Sequence, residues 1–367
     1  MHILHVVGAR PNFMKAAPVL RALNSYPEIR QTLVHTGQHY DASMSDVFFQ
    51  QLEMPKPDFN LAVGAGSHAE QTARVMLALE PVLEERKPDL VLVYGDVNST
   101  VAAALVCSKL GIQVGHVEAG LRSHDRTMPE EINRLLTDQL SDVLFTPSAD
   151  GDENLILEGV DSARIHRVGN VMIDTLVRLL PCADRHIPAG LPPSYALVTL
   201  HRPSNVDDLP WLRDMLATLT DLSRELQVVF PVHPRTQQRL RELAGTTHHS
   251  ERLVLMPPLP YLEFLALQRG ATMVITDSGG IQEETTFLGV PCLTVRENTE
   301  RPITITRGTN QLVGRDLQRI HSAALGVLHS TNEVHKHPPQ NRIPLWDGHA
   351  AERIASVLRR NSALPPR

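Results

Sequence analysis

The feature that most narrows the choice of fold is an alternation that runs the length of the chain. Short, mostly apolar runs recur: His2 to Val7, Leu90 to Tyr94, Ile112 to Val117, Val143 to Thr146, Ala196 to Leu200, Val228 to Pro231 and Met273 to Thr276. Each leads into a polar or glycine-bearing turn and then a stretch that can be helical. Strands that are apolar throughout are buried on both faces, and parallel pairing needs a crossover between neighbours, which the helices supply. The pattern predicts an α/β chain with parallel sheets covered by helices. With 367 residues, 42% of them hydrophobic, the chain is long enough for two cores. The proline-rich, polar stretch PCADRHIPAGLPPS, between Leu180 and Ser194, marks the expected division. One Rossmann-like domain is expected over 1–180 and a second over 181–367, the last helix being a candidate to pack back on the first.

Composition excludes several classes of partner. A formal net charge of -6 gives no support for nucleic acid or an anionic membrane, and 4% aromatic residues offer few platforms for stacking bases. Cys107, Cys182 and Cys292 are far apart and lack metal-ligand spacing, which suits buried thiols in a reducing compartment. The N-terminus begins at once with a strand-like run and no segment reaches membrane-spanning length, so a cytoplasmic location is expected.

Chemistry gathers at strand ends. Arg10, His35, Asp96, Glu118, His201, His233 and Asp277 all fall at or just after the carboxyl end of an expected parallel strand, where open α/β sheets bind ligands; a central cleft between the two domains would collect them. In Met273 to Val295, strand, tight turn, helix and strand follow one another, with Asp277-Ser278-Gly279-Gly280 at the helix mouth. Ser278 can supply an N-cap oxygen, and paired glycines let an anion approach the open N–H groups of the first turn. An ordinary βα turn fits DSGG equally well. Asp96, Glu118 and Glu130 read either as helix caps or as a cluster in which like charges keep one carboxyl protonated beside an ionised base. The first turn, GARPNF, is not GxGxxG, and no GxxxxGK[ST] loop is present. His116, Glu118, His124 and Asp125 fit no strong metal signature, so no metal is expected. From the residues alone the chain is a two-domain enzyme whose cleft takes a phosphorylated or nucleotide-linked small molecule.

At these positions the chain resembles the non-hydrolysing UDP-N-acetylglucosamine 2-epimerases. The motifs in order are GARPNFMKAAPV, HTGQHYD, YGDVNST, GHVEAGLRS, PEEINR, TLHR, ITDSGGIQEET and ENTERP followed by GTNQLVG, and they span nearly the whole chain. The resemblance implies a glycosyltransferase-B-like architecture, a homodimer, no cofactor and a UDP-linked 2-acetamido sugar as substrate, with other 2-acetamido sugars such as uronates, or glycosyl transfer on the same fold, as the alternatives. It places Arg10 and Lys15 on the phosphate side of the first domain and gives Asp96, Glu118 and Glu130 the acid–base work. In the second domain it brings His201 toward the diphosphate or sugar and puts Ser278, Gly279 and Gly280 at the diphosphate. Phe264 falls beside uridine, Glu284 on the ribose, and Arg301 on a further substrate contact. The implied chemistry is loss of UDP coupled to removal of the C2 hydrogen, giving 2-acetamidoglucal, then re-addition. Two stretches depart from the family pattern. Tyr40-Asp41-Ala42-Ser43 lacks the glutamine and arginine through which some members are activated by substrate, and Pro203-Ser204 replaces the arginine and glutamate that often follow the HR pair.

Overall fold

A computed structural model describes residues 1–38, 49, 51–187, 190–243, 250–334 and 343–360, with side chains described to 330 in the segment that ends at 334. Its contacts separate two compact units: Met1–Thr175 together with residues 344–360, and Leu176–Ile343. Residues 43–52 and 332–344 fall largely outside the described residues, and Tyr40–Ser43 entirely so.

In the first unit β1 (His2–Val7), β2 (Arg30–His35), β3 (Phe59–Asn60), β4 (Leu90–Tyr94), β5 (Gln113–Val117), β6 (Val143–Thr146) and β7 (Ile165–Arg167) form a sheet ordered β3-β2-β1-β4-β5-β6-β7, parallel throughout. The helices of this part are α1 (Arg10–Leu23), α2 (His68–Arg86), α3 (Asn98–Leu110), α4 (Pro129–Leu140) and α5 (Ala149–Leu157), and α6 (Val171–Ala183) carries the chain from this unit into the second. Leu4, Val6, Val91 and Val93 point into a core closed by Leu79 and Leu83 of α2 and Ala103 and Cys107 of α3, so the continuous apolar strands are covered as their sequence requires. A capping box starts α2: Ser67 accepts from the Glu70 N–H and Glu70 accepts from the Ser67 N–H at 3.0 Å.

In the second unit β8 (Tyr195–Thr199), β9 (Gln227–Pro231), β10 (Leu253–Met256), β11 (Met273–Thr276), β12 (Cys292–Thr294) and β13 (Asn310–Leu312) are ordered β10-β9-β8-β11-β12-β13, again parallel. Its helices are α7 (Pro203–Val206), α8 (Leu209–Leu222), α9 (Pro234–Glu242), α10 (Tyr261–Gly270), α11 (Gly279–Leu288), α12 (Ile303–Thr306) and α13 (Leu317–Val334). The final helix, α14 (Ala350–Arg360), belongs to the first unit, where it packs on α1. Asp174 caps it, its two oxygens accepting from the N–H groups of Ala350 (3.1 Å) and Ala351 (2.7 Å), and the buried Trp346 donates to the Pro147 carbonyl at 2.9 Å.

Three differences from the sequence reading have physical causes. The first helix starts at Arg10, inside the GARPNF stretch read as a turn, because Pro11 suits a first helical turn and the Asn12 side chain accepts from the N–H groups of Gly8 and Ala9 while donating to the Tyr94 carbonyl at 2.7 Å. Helix α6 runs on to Ala183, past the expected start of the linker at Leu180, with Pro181 in its last turn where a missing N–H costs one bond only. The edge strands β3 and β13 are too short to leave a periodic trace. Among the described residues no helix is long and apolar enough to cross a membrane.

Candidate active site

Each sheet reverses its strand order beside its first strand, at β1/β4 in one unit and β8/β11 in the other. Loops leaving the carboxyl ends of such a pair run to opposite sides and open a crevice. In the first unit the loop after β4 is Gly95-Asp96. Gly95 has φ 62°, and a Cβ there would lie 2.5 Å from Lys15 Nζ and 3.1 Å from Glu118 Oε2, so only glycine fits. Lys15, on α1, is buried and forms an ion pair with Glu118, which follows β5 with φ 76°, a conformation costly for a non-glycine residue and one that recurs at functional sites. Asp96 receives the Arg134 guanidinium on one carboxylate oxygen, and its carbonyl accepts from Asn133 Nδ2 at 2.9 Å.

Arg134 is held in turn by Glu131, from its Nε at 3.0 Å and Nη2 at 2.8 Å, and Glu131 also accepts the N–H groups of Ser123 and His124 at 2.9 Å each. Burial alone would push the Glu131 carboxyl up; these donors outweigh it and hold it below the usual range. Arg10 is exposed as the first residue of α1, and Glu130 is exposed in the first turn of α4. Asp96 and Glu118 each face a cation of their own. Sequence reasoning missed Glu131 and Arg134, although their i, i+3 spacing on one helix was a signal for the pair.

In the second unit Asp277, fully buried at the end of β11, accepts from the His201 N–H (3.0 Å), the Arg202 N–H (2.9 Å) and Asn205 Nδ2 (3.0 Å), and lies 2.8 Å from His201 Nδ1. Burial would raise this carboxyl, but His201 and the other donors hold it below its ordinary value. The His201 ring is thus oriented through Nδ1, which turns Nε2 away from Asp277, and its partly exposed face lies 5.6 Å from the His233 ring, centroid to centroid.

Ser278 occupies the N-cap of α11 but, against expectation, its side chain makes no capping bond; the Ser278 N–H instead donates to Thr276 Oγ1 at 3.0 Å. Gly279 follows, and a Cβ there would come within 2.6 Å of both Arg301 Nη1 and Glu300 Oε1. Arg301 therefore lies directly against the turn, its guanidinium fixed by Glu300 and by Glu283, 2.8 Å from Nε. Gly280 is the next residue of the helix mouth, half-buried like Ser278 and Gly279. One turn on, Glu284 is buried and accepts from the Tyr261 hydroxyl at 2.7 Å. Burial pushes its carboxyl up to about 7, against the hydrogen bond from Tyr261. Phe264, on the same face of α10 as Tyr261, packs on the apolar cluster of Leu197, Val229 and Leu267.

With this geometry in hand, a profile of the UDP-N-acetylglucosamine 2-epimerase family matches residues 21–359. The chain belongs to this family. It is 40% identical over 364 residues to a UDP-N-acetylglucosamine 2-epimerase of Methanococcus maripaludis, covering 96% of this chain and 97% of that one. It is 42% identical over 334 residues to a UDP-2,3-diacetamido-2,3-dideoxy-D-glucuronate 2-epimerase of Pseudomonas aeruginosa, covering 90% and 93%. The crystal structure of the Methanocaldococcus jannaschii UDP-GlcNAc 2-epimerase in complex with UDP-GlcNAc and UDP superposes with a TM-score of 0.87 at 38% identity, over 98% of this chain and 100% of that one. The two parallel sheets are the glycosyltransferase-B-like fold of that family. Tyr40–Ser43, the stretch expected to lack the glutamine and arginine of substrate activation, lies outside the described residues.

Proposed function

We propose that the protein interconverts UDP-N-acetylglucosamine and UDP-N-acetylmannosamine. The observation that carries the reading is the pairing of strand-end carboxylates with cations in the first unit, Asp96 with Arg134 and Glu118 with Lys15, in a chain of the 2-epimerase family. A base takes the C2 proton while the C1–O bond breaks and UDP leaves with the electron pair, forming the C1=C2 double bond of 2-acetamidoglucal. UDP oxygen then adds back to C1 and a proton reaches C2 from the other face. Asp96, Glu118 and Glu130 carry the proton transfers, with Lys15 poised to exchange charge with Glu118. In the second unit the open N–H groups at Gly279 and Gly280, together with the Ser278 hydroxyl and Arg301, hold the diphosphate; Glu284 holds the ribose, and Phe264 flanks the uracil. Arg10 and His201 Nε2 stabilise charge on the departing diphosphate.

Turnover in deuterated water tests the reading: deuterium should appear at C2 of both sugars, and retention of protium during genuine epimerisation would refute it. A 2-acetamido uronate is the second reading, favoured by the 42% identity to the diacetamidoglucuronate enzyme, and the same assay run on a panel of UDP-2-acetamido sugars separates the two. We infer a homodimer in the cytoplasm, and the exposed Ile132 and Leu136 of α4 support the pairing with an apolar strip.

A further inference from the structure

Behind the Gly95-Asp96 turn lies a chain of polar groups, buried except for the half-buried Glu158 at its end, that the proposed chemistry does not use. His116, on β5, is wholly buried; its Nδ1 is 2.6 Å from Asp138 Oδ1 on α4 and its Nε2 is 2.8 Å from the Gly95 carbonyl oxygen after β4. A carbonyl oxygen only accepts, so Nε2 carries a hydrogen. Asp138 is buried too, and its other oxygen accepts from the Gly120 N–H at 3.1 Å and lies 2.7 Å from Arg122 Nη1. Arg122 closes the chain on Glu158 with two bonds of 2.7 Å.

Burial would push the Asp138 carboxyl up, but His116 and Arg122 outweigh it and hold it below its ordinary range, so Asp138 is an acceptor at both oxygens. Both ring nitrogens of His116 then face acceptors, and the ring must supply two N–H donors. The charges alternate: imidazolium, carboxylate, guanidinium, carboxylate.

We propose that His116 is a positioning residue, a buried imidazolium held by Asp138 whose second N–H fixes the Gly95 carbonyl and so sets the turn that presents Asp96 and underlies the Lys15–Glu118 pair. The turn has no slack on its other face, where Gly95 abuts Lys15 and Glu118, so a shift of its carbonyl moves all three groups. The inference rests on the reading of Asp96 and Glu118 as the acid–base residues. It adds that their geometry is imposed from behind by a cation that never meets substrate.

Two substitutions of the full-length protein separate this from a merely structural role. The amide nitrogen of glutamine reaches the place of Nε2, and that of asparagine the place of Nδ1. His116→Gln keeps the bond to Gly95; His116→Asn keeps the bond to Asp138 and drops the turn. C2 deuterium exchange, calorimetric UDP titration and thermal unfolding are measured on each. The expected result is that His116→Asn loses kcat by tenfold or more, toward the ~10²-fold that a 1 Å misplacement costs, with UDP Kd unchanged, and that His116→Gln recovers most of the rate. A folded His116→Asn protein that exchanges C2 hydrogen at the native rate overturns the proposal, as does equal impairment of both variants. Nitrogen-15 spectra of the native protein labelled in histidine should show a hydrogen on both ring nitrogens of His116, and one bare nitrogen refutes the clamp. This spectrum judges the clamp independently of activity: absence of C2 exchange in the native protein would sink the proposed function while the spectrum still decides whether His116 is an imidazolium.

Discussion

Glu284 places a pH dependence in the second unit that can be worked through in numbers. The carboxyl is buried, no charged group offsets its desolvation, and it is pushed from an ordinary value of 4.5 up to about 7. At roughly 1.4 kcal/mol for each pH unit, holding it ionised costs the ligand-free fold about 3 kcal/mol. Between pH 4.5 and 7 the folded state binds more protons than the unfolded state, so stability falls as pH rises through that window. The favourable contribution of the protonated form is complete below about 4.5 and gone above about 7. Glu284→Gln has no proton to lose, so its stability relative to the native protein should grow with pH. For a unit of this size, roughly 2 to 4 °C per kcal/mol makes the change in Tm difference between pH 4.5 and pH 8 roughly 6 to 12 °C. Thermal unfolding of the two proteins at both pH values measures it, and all other titrating groups cancel in the difference. A Tm difference that does not change between the two pH values would refute the argument. A ligand that donates hydroxyls to Glu284 favours the ionised form, so UDP binding near pH 6.5 should release a proton, visible as a calorimetric enthalpy that varies with the ionisation enthalpy of the buffer.

Three further outcomes follow from particular contacts. Lys15→Met leaves Glu118 buried without its cation and should cost about 3 to 5 kcal/mol, whereas Lys15→Met combined with Glu118→Gln should recover much of the loss in urea denaturation; a double variant no more stable than the single one would contradict the buried pair. Gly279→Ala drives a methyl into Arg301 and should weaken UDP binding by about 1.5 to 3 kcal/mol, with unfolding little changed, as read by titration calorimetry. Asp174→Ala removes the cap of α14 and should lower stability by about 1 to 2 kcal/mol, with proteolysis after Arg353 or Arg359 accelerated; resistance equal to the native protein would show the cap to be idle.

The sequence made the strands legible because a strand buried on both faces is largely apolar, and β1, β4, β6 and β11 are, with the buried His5 of β1 satisfied by the Tyr94 hydroxyl. It made strand-end positions legible for the same reason: once a run ends, Arg10, Asp96, Glu118, His201 or Ser278 stands next. What it did not carry was partnership. Lys15 and Glu118 are 103 residues apart, and Asp174 and the start of α14 are 176 apart. No local pattern relates such pairs, so the cations arriving from α1 and α4 were not legible at the strand ends. His116 was visible only as a poor metal ligand, because its two acceptors come from β4 and α4 and neither is its neighbour in sequence. The caps show the same division: the Ser67–Glu70 box is local and readable, whereas the idle Ser278 side chain depends on Thr276 taking its own N–H.

The return of α14 to the first unit has a consequence for how the protein is made. Residues 1–175 leave the ribosome long before Trp346 and α14, so the nascent domain must wait with the Pro147 carbonyl, the Asp174 carboxylate and the α14-facing side of α1 uncovered while the entire second unit is synthesised. Nonsense or frameshift lesions anywhere in the second half therefore damage both units at once, and a fragment ending at residue 175 is an unfinished domain. The second unit, by contrast, is one continuous stretch of chain with its own sheet and core, so none of it waits for a segment made after the other unit.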